Sequence, residues 1–128
     1  MLLDSNTVIY SAQHEYTNLR HFLAQHRFSV SAITYLEVLG YPELIPEEQD
    51  KFEKLFSTMQ VLPISDEVIK KAVQLRRQRK LKGERRIADF IIAATALVHG
   101  LTLVTHNVKD FEWIEELSIL DPLKMKES

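Results

Sequence analysis

The sequence predicts an α/β fold, in which one three-layer α/β/α domain is built around a mostly parallel central sheet. Short apolar segments alternate along the chain with longer segments of helical spacing, which is the pattern of βαβ units. Polar residues directly follow several apolar segments, and in open α/β sheets such positions form the ligand-binding edge. The 128 residues fit one domain of ordinary size, without a linker or an internal repeat. We therefore treat residues 1–128 as a single domain.

The composition excludes several classes of protein. Hydrophobic residues make up 45% and charged residues 27% of the chain, as in an ordinary globular protein. The absence of cysteine removes disulfides, thiolate nucleophiles and cysteine-based zinc sites. The longest apolar runs are too short to span a membrane, and the N-terminus lacks the pattern of a secretory signal. We expect a protein that works in the cytoplasm, without a membrane partner.

Each predicted element in the first half of the chain has a local cause. Asp4 and Ser31 follow short apolar segments and are favourable helix caps, so each marks a change from strand to helix. Gly40 ends the second of these helices, which carries Glu37. The predicted elements are strands at 1–3 and 28–30, and helices at 5–12, 16–26, 32–39 and from Pro46.

The second half of the chain contains the most apolar helix. Between Phe90 and Val98 every residue except Thr95 is apolar, which indicates a helix packed in the middle of the domain and beginning at Asp89. Gly100 is suited to the left-handed position that ends a helix. The other predicted elements are a Ser65-capped helix that runs past Leu75, strands at 61–64, 101–105 and 118–120, and a short turn or helix at 111–117.

The formal net charge of −2 hides a basic patch between Arg76 and Arg86. This segment contains seven basic side chains and a single acid, Glu84. Such a patch can contact phosphates. It is equally well explained as a solvated helix end, where cations interact favourably with the helix dipole.

Four acids stand in a hydrophobic context that is unusual for a surface carboxylate. Asp4 and Asp110 follow strands, Glu37 lies among apolar residues, and Asp89 begins the buried helix. Each has a simpler explanation, because three of them can cap helices and Glu37 can lie at the edge of its helix. Taken together, they indicate carboxylates that converge on one edge of the sheet.

Converging carboxylates repel by roughly 4 kcal/mol per pair at about 4 Å and an effective dielectric constant near 20, so they require a positive partner. Oxygen ligands without cysteine or paired histidines favour Mg²⁺ or Mn²⁺. The matching reaction is hydrolysis of a phosphodiester, in which the metal activates water and neutralises charge on the departing oxygen. Asp4, Glu37, Asp89 and Asp110 are the candidate metal-binding and catalytic residues.

Four segments of the chain resemble the PIN-domain proteins of the VapC toxin family, in the same order and with similar spacing. They are Leu-Leu-Asp4-Ser-Asn6, Ser31-Ala-Ile-Thr34-Tyr-Leu-Glu37-Val-Leu-Gly40, Ala88-Asp89-Phe-Ile-Ile-Ala-Ala-Thr-Ala-Leu97 and Thr105-His-Asn107-Val-Lys-Asp110-Phe111. The resemblance implies a PIN-like domain whose matching acids form a Mg²⁺ or Mn²⁺ site. It also implies an RNA substrate, a homodimer and inhibition by a VapB-type antitoxin.

Further site residues follow from the same segments. Asn6, Thr105 and Asn107 are suited to hydrogen-bond the carboxylates or a phosphate, although such residues are also common in turns. His106 stands where the resembling family often has arginine, so we assign it to substrate binding. Arg85 and Arg86 are our remaining candidates for phosphate contacts, because they lie near Asp89, separated from it by Ile87 and Ala88.

Two other functions are compatible with parts of the sequence. A PIN-like module without catalysis would bind RNA or protein as an adaptor, and the presence of all four acids disfavours it. An enzyme using Asp4 as a phosphate-accepting nucleophile, of the haloacid-dehalogenase type, would have an Asp-x-Asp pattern. Asn6 stands where the second aspartate of that pattern would be.

Overall fold

A computed structural model describes residues 1–13, 17–79 and 86–124. Within these residues, five strands form one sheet in the order β3-β2-β1-β4-β5, and every neighbouring pair is parallel. The strands are β1 (Leu2–Leu3), β2 (Ser29–Ser31), β3 (Gln60–Leu62), β4 (Leu103–Val104) and β5 (Ile119–Leu120). The predicted α/β fold with a mostly parallel sheet is confirmed.

The helices occur between the strands, as the alternating pattern predicts. They are α1 (Ser5–Ser11), α2 (Thr17–Gln25), α3 (Ala32–Leu39), α4 (Pro46–Ser57), α5 (Asp66–Gln78) and α6 (Ile87–His99), followed by a 3₁₀ turn at Val108–Asp110. Ser31 and Ser65 cap α3 and α5 through their side chains, as predicted. Gly100 ends α6 in the left-handed conformation, with φ of 64°.

The central strand β1 divides the protein into two cores. Leu2 and Leu3 are both completely buried, and because side chains alternate along a strand they belong to different cores. Leu103 and Val104 of β4 divide in the same way. Burying one such side chain contributes roughly 1.5–3 kcal/mol, so even two-residue strands are well stabilised here.

Each core is covered by its own helices. Helices α5 and α6 supply the first core, including Val68, Leu75 and Ile92. Helices α1, α2 and α4 supply the second, including Val8 and Phe52. The sheet therefore lies between two helical layers, with the carboxyl ends of β1 and β4 next to each other at one edge.

The strand predicted at 101–105 is longer than the one observed, because it pairs only over β4. The segment 111–117, predicted as a short turn or helix, forms consecutive turns. In that segment Phe111, Ile114 and Leu117 are buried, and backbone hydrogen bonds join residues three apart. A three-residue period matches a chain of tight turns better than the 3.6-residue period of an α-helix.

None of the helices in the described part of the chain combines the length and the apolar character needed to cross a membrane. Of the basic patch predicted between Arg76 and Arg86, residues 80–85 lie outside the described residues. Arg76 and Arg77 lie in the last turn of α5, where cations interact favourably with the helix dipole.

Candidate functional site

Asp4 lies where β1 ends and α1 begins, and it is only 4% exposed. Its Oδ1 accepts a hydrogen bond from the Thr7 backbone N–H at 2.9 Å, so Asp4 caps α1. Its Oδ2 accepts a hydrogen bond from the Thr105 hydroxyl at 2.5 Å. Thr105 follows β4, so the two neighbouring strands bring the donor and the acceptor together. The helix-cap interpretation is therefore confirmed, and the carboxylate has a second partner besides.

Burial raises the pKa of the Asp4 carboxyl above its ordinary value. Hydrogen bonds from Thr105 and Thr7 act against this rise and lower the pKa in part, as does the positive charge of Arg86. Loss of water around the carboxylate is thus the dominant effect. An acid held in this way gains from a nearby positive charge, and such perturbed acids are concentrated in functional sites.

Glu37 of α3 is linked to Asp4 through the residue that follows Asp4. The Ser5 hydroxyl donates to Glu37 Oε1 at 2.7 Å and also hydrogen-bonds the Thr34 hydroxyl at 3.1 Å. Thr34 lies one turn before Glu37 on the same helix. Ser5 and Thr34 therefore orient one oxygen of Glu37 toward the end of β1.

Arg86 supplies the positive charge of this region. It is the N-cap residue of α6, and its guanidinium pairs with Glu37 Oε2. The same charge lowers the pKa of Asp4, although less than the hydrogen bonds do. Arg86 and Glu37 are 49 residues apart in sequence, so the fold brings the start of α6 against α3.

Asp89 and Asp110 line one small cavity of about 20 Å³ together with Arg79 and Trp113. A cavity of this size has room for roughly one water molecule. The Arg79 guanidinium lies over the Trp113 ring, 5.0 Å from its centroid. Its buried Nε has no hydrogen-bond partner among the described residues. The two acids thus line one small space beside a cation.

Asp89 does not occupy the capping position that is an alternative explanation for it. Helix α6 begins at Ile87 after the N-cap residue Arg86, so Asp89 lies in the first turn rather than at the cap. Asp110 ends the 3₁₀ turn, whose N-cap residue is Asn107. The capping interpretation is wrong for Asp89, because α6 starts earlier than the sequence pattern indicates. For Asp110, which directly precedes the turns at 111–117, capping stays a prediction.

The remaining predicted residues contribute unequally. Thr105 bonds Asp4, as the sequence suggests, whereas Asn107 contacts Thr105 through its backbone N–H at 3.0 Å. Asn6 lies in the first turn of α1. His106 is half-exposed and pairs with Asp121. Arg85 lies outside the described residues.

The donor chemistry fits a hard divalent cation, but the described residues do not form a complete metal-binding group. Asp4 and Glu37 are joined through Ser5, whereas Asp89 and Asp110 share the small cavity. Across residues 1–13, 17–79 and 86–124, no three acidic or histidine side chains stand close enough together to hold an ion. Arg86 pairs with Glu37 and so provides the positive charge that the carboxylates need.

Sequence reasoning overlooks four residues of this region. All four contact candidate site residues or line a cavity with them: they are Ser5, Thr34, Arg79 and Asp121. Ser5 and Thr34 could be found from spacing, because one follows Asp4 and the other precedes Glu37 by one helical turn. Arg79 and Asp121 lie far in sequence from their partners and carry no local signal.

Comparisons with known proteins agree with this geometry. A family model described as the PIN domain matches residues 1–117. The chain is 31% identical to the tRNA(fMet)-specific endonuclease VapC of Salmonella typhimurium, over 94% of this chain and 96% of that protein. It is 29% identical over 90 residues to the ribonuclease VapC10 of Mycobacterium tuberculosis, which covers 70% of this chain and 66% of that protein.

Solved structures of similar shape belong to the same group. A crystal structure of DNA-bound VapBC from Salmonella typhimurium superimposes with a TM-score of 0.85 at 28% identity, covering 94% of this chain and 96% of the matched chain. A toxin–antitoxin complex from Klebsiella pneumoniae gives a TM-score of 0.74 at 29% identity, covering 97% and 98%. The chain therefore belongs to the PIN domain family, as a protein of the VapC toxin type.

Proposed function

We propose that this chain is a divalent-metal-dependent endoribonuclease and the toxin of a toxin–antitoxin pair. The observation that carries the proposal is the buried Asp4 carboxylate, whose oxygens are fixed by Thr7 and Thr105 and which is joined through Ser5 to Glu37. Burying a carboxylate costs folding free energy, so such an arrangement is expected where the carboxylate binds a charged ligand. Relatives named as VapC ribonucleases make RNA the substrate that best fits.

Asp4, Glu37, Asp89 and Asp110 would hold the ion, which we propose to be Mg²⁺ or Mn²⁺. All eight donor atoms of these side chains are carboxylate oxygens, the ligands that both ions prefer. When bound, the ion supplies positive charge to the phosphate being cut and makes a water molecule more acidic. Completing the ligand set requires Glu37 to exchange its Arg86 partner for the ion.

The chain's own residues prepare the acids for this task. The Thr7 N–H and the Thr105 hydroxyl each hold one oxygen of Asp4, so the carboxylate cannot rotate freely. Ser5 holds Glu37 in the same way. Fixed hydrogen-bond donors of this kind keep metal-binding carboxylates oriented before the ligand arrives.

Arg86 is suited to a second task once it leaves Glu37. Its side chain is 54% exposed and stands at the start of α6, beside the acids. A guanidinium there can contact a phosphate of the RNA strand through paired hydrogen bonds. Arg86 would thus alternate between neutralising the metal-free site and holding substrate, and Arg85 would join it in the second task.

RNA cleavage by purified protein tests the proposal. Wild-type protein with Mg²⁺ should cleave single-stranded RNA, and Asp4→Asn and Asp89→Asn should reduce the rate by about 100-fold or more, since removing metal ligands costs at least that much. Circular dichroism would show that both variants remain folded. Cleavage that persists in excess EDTA would contradict the proposal.

We also propose a VapB-type antitoxin as the partner, and a homodimer as the assembly. Several solved relatives are titled as toxin–antitoxin complexes. Large apolar side chains are exposed on α3 and just after it, at Tyr35, Leu36, Tyr41 and Ile45. Exposed apolar groups of this kind are typical of contact surfaces. Light scattering of the chain, alone and with the product of an adjacent open reading frame, would test both assemblies.

A second candidate function is that of an RNA- or protein-binding adaptor without catalysis. One observation favours it, namely that the described residues contain no three-ligand group for a metal. The adaptor would bind RNA in the presence of EDTA, would not cleave it, and would show no uptake of Mn²⁺. The nuclease should bind Mn²⁺ and cut RNA.

A further inference from the structure

His106 lies at the carboxyl edge of the sheet, immediately after Thr105, which bonds Asp4. Asp121 lies just past the neighbouring strand β5. Because β4 and β5 are parallel and Val104 pairs with Leu120, the residues that follow them emerge side by side. His106 Nδ1 is 3.1 Å from Asp121 Oδ1 and 3.3 Å from Oδ2. The topology itself therefore creates this contact.

Asp121 is fixed independently of the histidine. Its side chain is 9% exposed, and its Oδ1 also accepts the Leu123 backbone N–H at 3.0 Å. The histidine side chain, by contrast, is 42% exposed. A largely covered carboxylate thus anchors one side of a ring whose other side is available to a ligand.

The contact sets the orientation of the imidazole. A carboxylate only accepts hydrogen bonds, so Nδ1 carries a proton and Nε2 is the atom left for another partner. The edge of the ring lies against Tyr10 of α1, with centroids 6.3 Å apart and ring planes at 74°. Tyr10 belongs to the helix that Asp4 caps, so the imidazole is held at the rim of the acid site.

We infer that Asp121 is a positioning residue which presents His106 Nε2 to a backbone phosphate of the RNA beside the acid site. The inference rests on the proposed ribonuclease function and adds a residue that neither the sequence pattern nor the acid site contains. An aspartate that fixes one ring nitrogen while the other contacts the reacting ligand is a known use of the Asp–His pair. Here the ligand is an anion, so the doubly protonated ring would donate to a phosphate oxygen.

Steady-state cleavage of a single-stranded RNA by the full chain with Mg²⁺ at pH 6 tests the inference. His106→Gln should lower kcat/KM by about tenfold, chiefly through KM, because the lost group binds substrate before and during reaction. The plot of the logarithm of RNA affinity against the logarithm of salt concentration should be less steep for His106→Gln by about 0.7, the value for one phosphate contact to a single strand. His106→Arg should retain activity to within about threefold, because it restores a cation.

A double-mutant cycle separates positioning from a structural role. Asp121→Asn should lower kcat/KM by about threefold or more, yet cause no further loss in the His106→Gln background, since coupled residues are not additive. An equal loss in both backgrounds would mean that Asp121 merely supports the Leu123 backbone, and would overturn the inference. So would an unchanged salt slope in His106→Gln.

A measurement on the wild-type chain keeps the test valid if a variant does not fold, and the cleavage assay separates this inference from the proposed function. Histidine ¹⁵N NMR of the wild-type chain needs no variant and should show a protonated Nδ1 in the neutral ring of His106; a protonated Nε2 would overturn the inference even if Asp121→Asn does not fold. If the wild-type chain fails to cleave RNA, the proposed function fails. If it cleaves RNA but the His106 variants behave as wild type, only this inference fails.

Discussion

At the residue scale, Asp4 has two roles with opposite effects on the free energy of unfolding. It caps α1, which stabilises the fold, and it buries a carboxylate, which costs free energy in the ionised form. Its pKa is raised because the loss of water around the carboxylate outweighs the stabilisation by its hydrogen bonds. This imbalance is expected where a site is shaped for a ligand rather than for stability.

Replacing Asp4 with asparagine should therefore stabilise the metal-free protein at neutral pH. Asparagine keeps an oxygen for the Thr7 N–H but carries no charge to desolvate. Because the pKa of Asp4 is higher in the folded protein than in the unfolded chain, wild-type stability falls as pH rises through that pKa. Thermal unfolding in EDTA should show a higher Tm for Asp4→Asn at pH 8, and a smaller difference at pH 5.

The exposed Asp66, also at a helix start, provides the control for this measurement. Asp66→Asn should leave stability unchanged or lower it slightly, because it only weakens the interaction with the helix dipole. A Tm for Asp4→Asn at or below that of wild type at pH 8 would contradict the account of Asp4.

Arg86 offers a second prediction at this scale. Its guanidinium pairs with Glu37, so it competes with any cation that Glu37 would bind. Arg86→Gln should tighten Mn²⁺ binding several-fold in calorimetry, because like charges close to each other disfavour binding. The same variant should weaken RNA binding and flatten its salt dependence, because it would remove the phosphate contact proposed for Arg86.

The matched control is Arg77→Gln, which makes the same change of charge at an exposed position on α5. It should leave Mn²⁺ affinity nearly unchanged, since exposed charges are well screened. Equal effects from both variants would show that net charge, rather than the Glu37 contact, governs metal binding.

The sequence identifies Asp4 and Glu37 as candidate site residues, but it does not predict which side chains they contact. Both acids are conspicuous because they interrupt apolar segments of the sequence. The pairing of Glu37 with Arg86 is different, since a long side chain can reach many partners and 49 residues separate the two. The Asp121 contact to His106 likewise depends on which strands are neighbours, and the local pattern does not contain that information.

At the scale of elements, helix starts and stops follow from individual residues. Ser31, Ser65 and Gly100 act as their chemistry predicts, because caps and left-handed glycines depend on short-range geometry. The start of α6 is harder to predict, because Arg86 occupies the N-cap position without a side-chain cap bond. An apolar segment identifies such a helix but does not fix its first turn.

Gly100 gives a prediction about the end of the helix that carries Asp89. An added Cβ would meet nothing within 4 Å, so only the backbone conformation, with φ of 64°, opposes a side chain. Gly100→Ala should cost about 1–2 kcal/mol, because alanine is unfavourable in the left-handed region. Thermal unfolding should show a Tm lower by several degrees, at roughly 4 °C per kcal/mol.

Gly100→Asn is the informative companion, because asparagine tolerates the left-handed region better than alanine. Its Tm should lie between those of wild type and Gly100→Ala. An unchanged Tm in Gly100→Ala would mean that α6 can end in another conformation without cost.

At the scale of the whole molecule, the parallel sheet decides where the candidate site lies. Parallel strands place all their carboxyl ends at one edge, so Thr105 meets Asp4 and His106 meets Asp121, although the members of each pair are distant in sequence. The sequence predicts this class of fold from its alternating elements. The order of the strands follows from packing across the two cores. This order determines which residues at the ends of the strands are neighbours.

We propose that Asp4, Glu37, Asp89 and Asp110 act together as one divalent-cation site. Titration of the purified, metal-free chain with Mn²⁺ in a calorimeter tests it most directly. The account predicts saturable binding to wild type and loss of that binding in Asp4→Asn and in Asp89→Asn, although these acids belong to the two separate groups. Undetectable binding to wild type, or binding that survives either substitution unchanged, would contradict the claim.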